Sequence, residues 1–121
     1  MVNATVEKFP HAVRVVRSAD YRAIYDAGGK IYSSNFVLFS RRNALGRSRL
    51  GITVSRKVGG AVVRNRVKRL FREIFRRSSS QIPSPFDMVV NAKAGCAKAG
   101  YDGLRAEFLV AMRKLGDRKG R

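Results

Sequence analysis

"VRNRVKRLFREIFRR", residues 63–77, carries seven cationic side chains in fifteen positions and still keeps an apolar repeat. Advancing about 100° per residue, a helix gathers Val63, Val67, Leu70, Phe71 and Ile74 in one stripe. The opposite side collects Arg64, Asn65, Lys68, Arg69, Arg72 and Arg76. The period therefore predicts a helix begun after Gly59-Gly60 and finished before "SSSQIPSP", with its stripe docked on a sheet. An ordinary solvated helix face mixes both signs of charge, with Glu and Lys paired four residues apart. Here Arg64, Lys68, Arg72 and Arg76 are like charges at that spacing, which repel by about 0.2–0.5 kcal/mol per pair. Phosphate oxygens would relieve the repulsion. Arginine offers them a planar fork, and Asn65 adds an amide that donates and accepts.

Working outward, "SADYRAIYDAGG" (18–29) predicts a short first helix with Ser18 as N-cap, Tyr21, Ile24 and Tyr25 on one side, and Gly28-Gly29 as its stop. From Lys30 to Arg56 the residues turn β-branched and aromatic, predicting two or three strands around the turn "NALGRS". Leu50, Ile52 and Val54 alternate with Gly51, Thr53 and Ser55, so one face is apolar and the other small and polar. "NFVLF" (35–39) is apolar on both faces, Phe36 and Leu38 against Val37 and Phe39, so something hydrophobic must cover or visit the second face. "DMVVNAK" predicts a further strand after Pro83 and Pro85. A last helix is expected over 101–115, with Leu104, Phe108, Ala111, Met112 and Leu115 inward and Gly116 as its stop. Residues 1–17 show no firm period and read as an extended lead-in. The order suits one layered domain, 1–121 with a core over about 14–115, whose helices pack on a mixed sheet.

The 121 residues hold 26 Lys and Arg against 8 acids, a formal charge of +18. That is far beyond what solubility requires and implies a polyanionic partner. Between Ala27 and Phe86 the only acid is Glu73, so the middle of the chain is the expected contact zone. No apolar run approaches the roughly 18 residues that span a bilayer, and the N-terminus lacks the features of a secretory signal, so a cytoplasmic protein without a membrane partner is expected.

A protein-borne catalytic centre cannot be assembled. His11 is the sole histidine and Cys96 the sole cysteine, which excludes a His-centred base or a Cys/His zinc site; Cys96 reads as an incidental loop thiol. The acids are scattered, with Asp102 at a helix start and Glu107 on a helix surface. Neither glycine pair has the Lys-Ser/Thr of a P-loop. Neither a catalytic residue nor a protein-bound metal is therefore expected.

"SRKVGGAVVRNRVKRLFREIFR" (55–76) resembles the signature of the protein subunit of bacterial ribonuclease P, Arg-Asn-x-x-Lys-Arg-x-x-Arg, matched by Arg64, Asn65, Lys68, Arg69 and Arg72. "DYRAIYDAGG", "NFVLF", "RLGITVS" and "DMVV" follow that family's order and spacing. The resemblance implies an α+β fold, an α-β-β-β-α-β-α two-layer sandwich like domain 2 of ribosomal protein S5, with a left-handed βαβ crossover that patterning alone could not supply. It implies a monomeric protein bound 1:1 to a catalytic RNA that uses Mg²⁺ to remove the 5′ leader of precursor tRNA. RNA contact then falls to the motif residues, to Arg66 within the motif, and to the flanking Arg56, Lys57 and Arg76. Arg66 and Arg77 project nearer the edge of the apolar stripe, where their stems can pack. Arg41, Arg42, Arg47 and Arg49 flank the strands as peripheral phosphate contacts or as plain surface charge. The family's leader cleft maps onto Tyr21, Tyr25, Val37 and Phe39, where stacking is sequence-tolerant. The other reading is a ribosomal-type RNA-binding module, which would share the charge but needs no groove for a mobile single strand.

Overall fold

The computed structural model describes residues 13–83 and 85–118; His11 lies outside them. Helix α1 spans Ser18–Asp26, strands β1, β2 and β3 span Gly29–Tyr32, Phe36–Arg42 and Arg49–Val54, α2 spans Ala61–Arg77, β4 spans Phe86–Ala92 and α3 spans Tyr101–Arg118. The sheet order is β1-β2-β4-β3. β1 and β2 form an antiparallel hairpin and β2 runs antiparallel to β4, whereas β3 lies parallel to β4. Adjacent parallel strands need a long crossover, and α2 supplies it. The basic helix is thereby fixed to the sheet at both of its ends.

α2 and α3 cover one face. Phe36 and Leu38 of β2, Met88 and Val90 of β4 and Leu50 of β3 pack there with Val67, Phe71, Ile74 and Phe75 and with Leu104, Phe108 and Met112. Phe36 and Phe71 meet edge to face at 5.4 Å. A smaller cluster lies on the other face, where α1 brings Ile24, Tyr21 and Tyr25 onto Val15, Val89 and Phe39. The second apolar face of "NFVLF" is thus partly roofed by the first helix. The end of the lead-in joins this side, as the Val15 amide donates to the Leu50 carbonyl at 3.1 Å and Arg14 bridges Leu50 in parallel.

Three local expectations are corrected. Arg17, in extended conformation, takes the N-cap position of α1 without a side-chain cap, and Ser18 is already helical. α3 continues through Gly116 to Arg118, because an interior glycine costs only about 1 kcal/mol and the apolar stripe ending at Leu115 holds the helix in place. Gly28 does stop α1, with φ +85°, but Gly29 opens β1 at a spot where a β-carbon would come within 2.6 Å of the Ser40 carbonyl oxygen.

Cys96 is a core residue rather than an incidental thiol. Fully buried in a short 3₁₀ turn, Ala94–Ala97, it donates to the Asn35 carbonyl at 3.0 Å, and burial pushes its thiol up to about 11. Glu107 is likewise more than helix surface. It accepts hydrogen bonds from the Ser33 hydroxyl, the Asn35 amide N–H at 2.9 Å and the Asn35 side chain, tying the β1–β2 turn to α3. Burial alone would raise its carboxyl, yet these donors and Lys93 hold it below its ordinary value of 4.5. A depressed carboxylate stabilises the fold above the unfolded value, and that contribution is lost as pH falls through the folded one. Glu107→Gln is therefore expected to lower the urea midpoint at pH 7 and to flatten its decline between pH 5 and the acid limit. Equal acid sensitivity in both proteins would remove Glu107 from the account.

Candidate nucleic-acid interface

Gly60, in extended conformation, is the N-cap of α2, and no acid stands in the first turn. Asn65, Arg69 and Arg72 are exposed, Arg64 and Lys68 half-buried, and Arg56 and Lys57 are exposed in the turn ahead. The Arg64 Nε donates to the Gly59 carbonyl at 3.2 Å, which steadies the stem of that side chain. The one acid of the helix, Glu73, pairs with Arg76 at 2.7 Å and with Arg77. A hydrogen bond from Arg76, outweighing partial burial, holds the Glu73 carboxyl below its ordinary range. Positive charge is thus partly neutralised in the last turn, and the stretch from Arg64 to Arg72 contains no acid. Arg66 turns inward. Its guanidinium donates to the carbonyls of Ala97 at 2.6 Å and of Cys96 and Ala99 at 3.4 Å, capping the turn that leads into α3.

On the α1 side, Tyr21 and Tyr25 are half-buried. The Tyr25 ring meets Phe39 edge-on at 4.7 Å and its hydroxyl donates to Asn91 Oδ1 at 2.9 Å. The Lys30 ammonium lies 5.7 Å from the centre of the Phe39 ring, and Val37 is half-buried on the same face. Tyr21 lies flat against β3 because residue 51 is glycine: a β-carbon there would sit 2.7 Å from the tyrosine oxygen. Burial raises the Tyr21 phenol, opposed by a backbone hydrogen bond at Ile52 and by nearby Arg72. A pocket of about 210 Å³ is bounded by Tyr21, Gly51 and Ile52 on one side and by Lys68 and Arg72 on the other. The aromatic roof and the basic helix, remote in sequence, therefore open onto one groove.

The chain matches the Ribonuclease P family over residues 9–116. It belongs to that family.

Among curated ribonuclease P protein components, that of Thermotoga maritima is 44% identical over 109 residues, covering 90% of this chain and 91% of the relative. That of Desulfovibrio desulfuricans is 40% identical over 110 residues, covering 88% and 85%. The solved ribonuclease P protein from T. maritima superposes with TM-score 0.77 at 34% identity, over 84% of this chain and 96% of that one. The chain is accordingly a component of a tRNA-processing holoenzyme whose partner is the ribonuclease P RNA, and the ribosomal-type alternative is set aside. Among the described residues no helix is long and apolar enough to cross a membrane.

The structure adds one group beside this interface that patterning missed. Asp87 on β4 is fully buried, with its carboxylate held by Arg49 at 2.8 Å, Arg41 at 3.1 Å and Asn43 at 2.8 Å. Burial alone would raise the carboxyl, and the donors from Arg49, Asn43 and Arg41 reverse this and hold it low. The two arginines extend to Asp20 of α1, at 3.6 and 3.9 Å, so the network ties the roof to the sheet one residue before Tyr21. Of the four strand-flanking arginines, Arg41 and Arg49 thus have an internal role. A lone aspartate opening "DMVV" carried no periodic signal that could have shown it.

Gly51→Ala should force the Tyr21 ring off β3 without touching the main core. Far-ultraviolet circular dichroism is expected unchanged and precursor tRNA affinity lowered several-fold, with mature tRNA affinity unaltered; loss of both affinities together would disconnect Tyr21 from the leader.

Proposed function

We propose that the basic face of α2 docks on the catalytic RNA while the groove under α1 holds the 5′ leader of precursor tRNA, one protein per RNA. The single observation that carries this reading is the shared groove, in which Tyr21 and the Gly51 backbone face Lys68 and Arg72. Aromatic faces suit unstacked bases, and the cations suit the phosphates that link them. Stacking of this kind contributes about 1–3 kcal/mol per base with little base preference, which fits a protein that must accept many leaders.

RNA contact is assigned to Arg64, Asn65, Lys68, Arg69 and Arg72, with Arg56 and Lys57 beside them. Arg66 and Arg76 have weaker claims, since Arg66 caps backbone carbonyls and Arg76 shares Glu73. The leader cleft is assigned to Tyr21, Tyr25, Val37 and Phe39. The interface offers guanidinium, ammonium and amide donors, whereas Mg²⁺ seeks oxygen ligands, so this face does not fit the metal. The reading leaves Mg²⁺ and the chemical step to the RNA, with the protein supplying binding and charge neutralisation.

Reconstitution with a bacterial ribonuclease P RNA tests this directly. Adding the chain at limiting Mg²⁺ should restore 5′ processing, and Tyr21→Ala should weaken precursor tRNA binding by about tenfold while sparing mature tRNA. Equal losses on both substrates would dismiss the cleft.

A further inference from the structure

The β1 edge of the sheet carries a feature that the cleft does not use. Strand alternation places Ile31, Phe36 and Leu38 in the core, so Lys30 and Tyr32 of β1 share the opposite face with Val37 and Phe39 of β2. In register, Lys30 pairs with Phe39 and Tyr32 with Val37. Tyr32 is thus the diagonal neighbour of Phe39, at about 7–8 Å, within the reach of aromatic side chains. Phe39 is covered by Tyr25, but α1 does not extend over Tyr32, which is 65% exposed. Among the described residues its ring and hydroxyl meet no partner. Beside it opens a groove of about 550 Å³ between β1 and α3, lined by Ile31, Tyr32, Val110 and Lys114, with Val110 itself 40% exposed. An uncovered tyrosine, a neighbouring cation on each side and an aliphatic floor reproduce the elements of the leader cleft one strand further out.

The geometry points to a continuation of the leader path: beyond Phe39, single-stranded RNA crosses the β1 edge, stacks a further base on Tyr32 and runs into the β1–α3 groove beside Lys114. This rests on the leader reading and lengthens it. A stacking face with the Lys30 and Lys114 ammonium groups to either side suits a single strand, and the formal charge of +18 disfavours a second copy of the chain at this edge. Glu107, the one acid lining the groove, is engaged by Ser33 and Asn35.

The test uses holoenzyme reconstituted from the full chain and a bacterial ribonuclease P RNA, with precursor tRNAs whose leaders lengthen one nucleotide at a time. The wild-type affinity should rise in two stages as the leader grows. Tyr32→Ala should abolish the later stage alone, a loss of about tenfold on the longest leaders and none on the shortest, and Tyr32→Phe should restore it. Tyr21→Ala should remove the earlier stage. If Tyr32→Ala binds every leader like wild type while Tyr21→Ala shows its length-dependent loss, the continuation is wrong and the cleft stands. If neither variant depends on leader length, both fail. A loss of equal size on short and long leaders would place Tyr32 in contact with the catalytic RNA or in the fold, and would also overturn the continuation.

Discussion

Asp87→Ala is expected to remove about 3–5 kcal/mol of folding free energy, a large part of what holds a domain of this size together. The reason lies in what remains after the carboxylate is gone. Arg49, with 16% of its side chain exposed, and Arg41 would face one another across β4 without the anion that both address, and Asn43 would lose its partner as well. Asp20, at 3.6 and 3.9 Å, is too distant to replace a carboxylate that makes contacts of 2.8–3.1 Å. Asp87→Asn keeps the shape but offers an amide donor to guanidinium groups that are also donors, so it should recover little. Denaturant unfolding followed by circular dichroism measures the difference, and a change below about 1 kcal/mol would reduce this network to a surface ion pair. The depressed carboxyl also fixes the pH dependence. Its contribution is complete above the ordinary carboxylate range and declines on acidification, so the gap between wild type and Asp87→Ala should narrow towards low pH. Because Asp20 joins the same arginines, a milder variant, Asp20→Asn, should leave the sheet intact and loosen the roof. Its expected signature is weaker leader binding at nearly unchanged stability.

The second large effect is on RNA affinity. A variant with Arg64, Lys68 and Arg72 all changed to alanine should bind ribonuclease P RNA at least tenfold more weakly, since one hydrogen bond to a charged group contributes about 1.5–3 kcal/mol. Its salt dependence should flatten as well, the log-log slope falling by about 2 to 3, because each phosphate contact adds roughly 0.7–0.9. The fold should survive, for Arg72 is exposed, Lys68 is half-buried and the apolar stripe is untouched. Relief of i, i+4 repulsion would even add a few tenths of a kcal/mol to helix stability. An unchanged slope would move the phosphate contacts elsewhere, and collapse of the fold would return these residues to structure.

The contrast between α2 and Asp87 shows what kind of feature can be read from a linear sequence. α2 was legible because its two faces repeat every 3.6 residues, so core stripe and cationic side separate by arithmetic. The strands of "NFVLF" and "RLGITVS" declared themselves by β-branched and aromatic residues in alternation, and the need for a cover over the second face of "NFVLF" followed from its having no polar side. Local end effects were harder to read. Ser18 looked like an N-cap and Gly116 like a stop, but caps and terminators contribute about 1 kcal/mol each, and packing decides at that scale.

Of the candidate site, charge and spacing along α2 marked the motif from Arg64 to Arg72, whereas Tyr21 and Tyr25 were marked by the family resemblance. That Tyr21 shares a groove with Lys68 and Arg72 was decided by the parallel placement of β3 beside β4, which fixes where the crossover helix lands. The inward turn of Arg66, the pairing of Arg76 with Glu73, the Arg41–Asp87–Arg49 network and the bare ring of Tyr32 likewise belong to tertiary structure alone. Periodicity records how one element meets its neighbours on average. Whether a particular charge meets a carbonyl, a carboxylate or open solvent depends on groups brought together from distant parts of the chain, and no repeat along the chain encodes that.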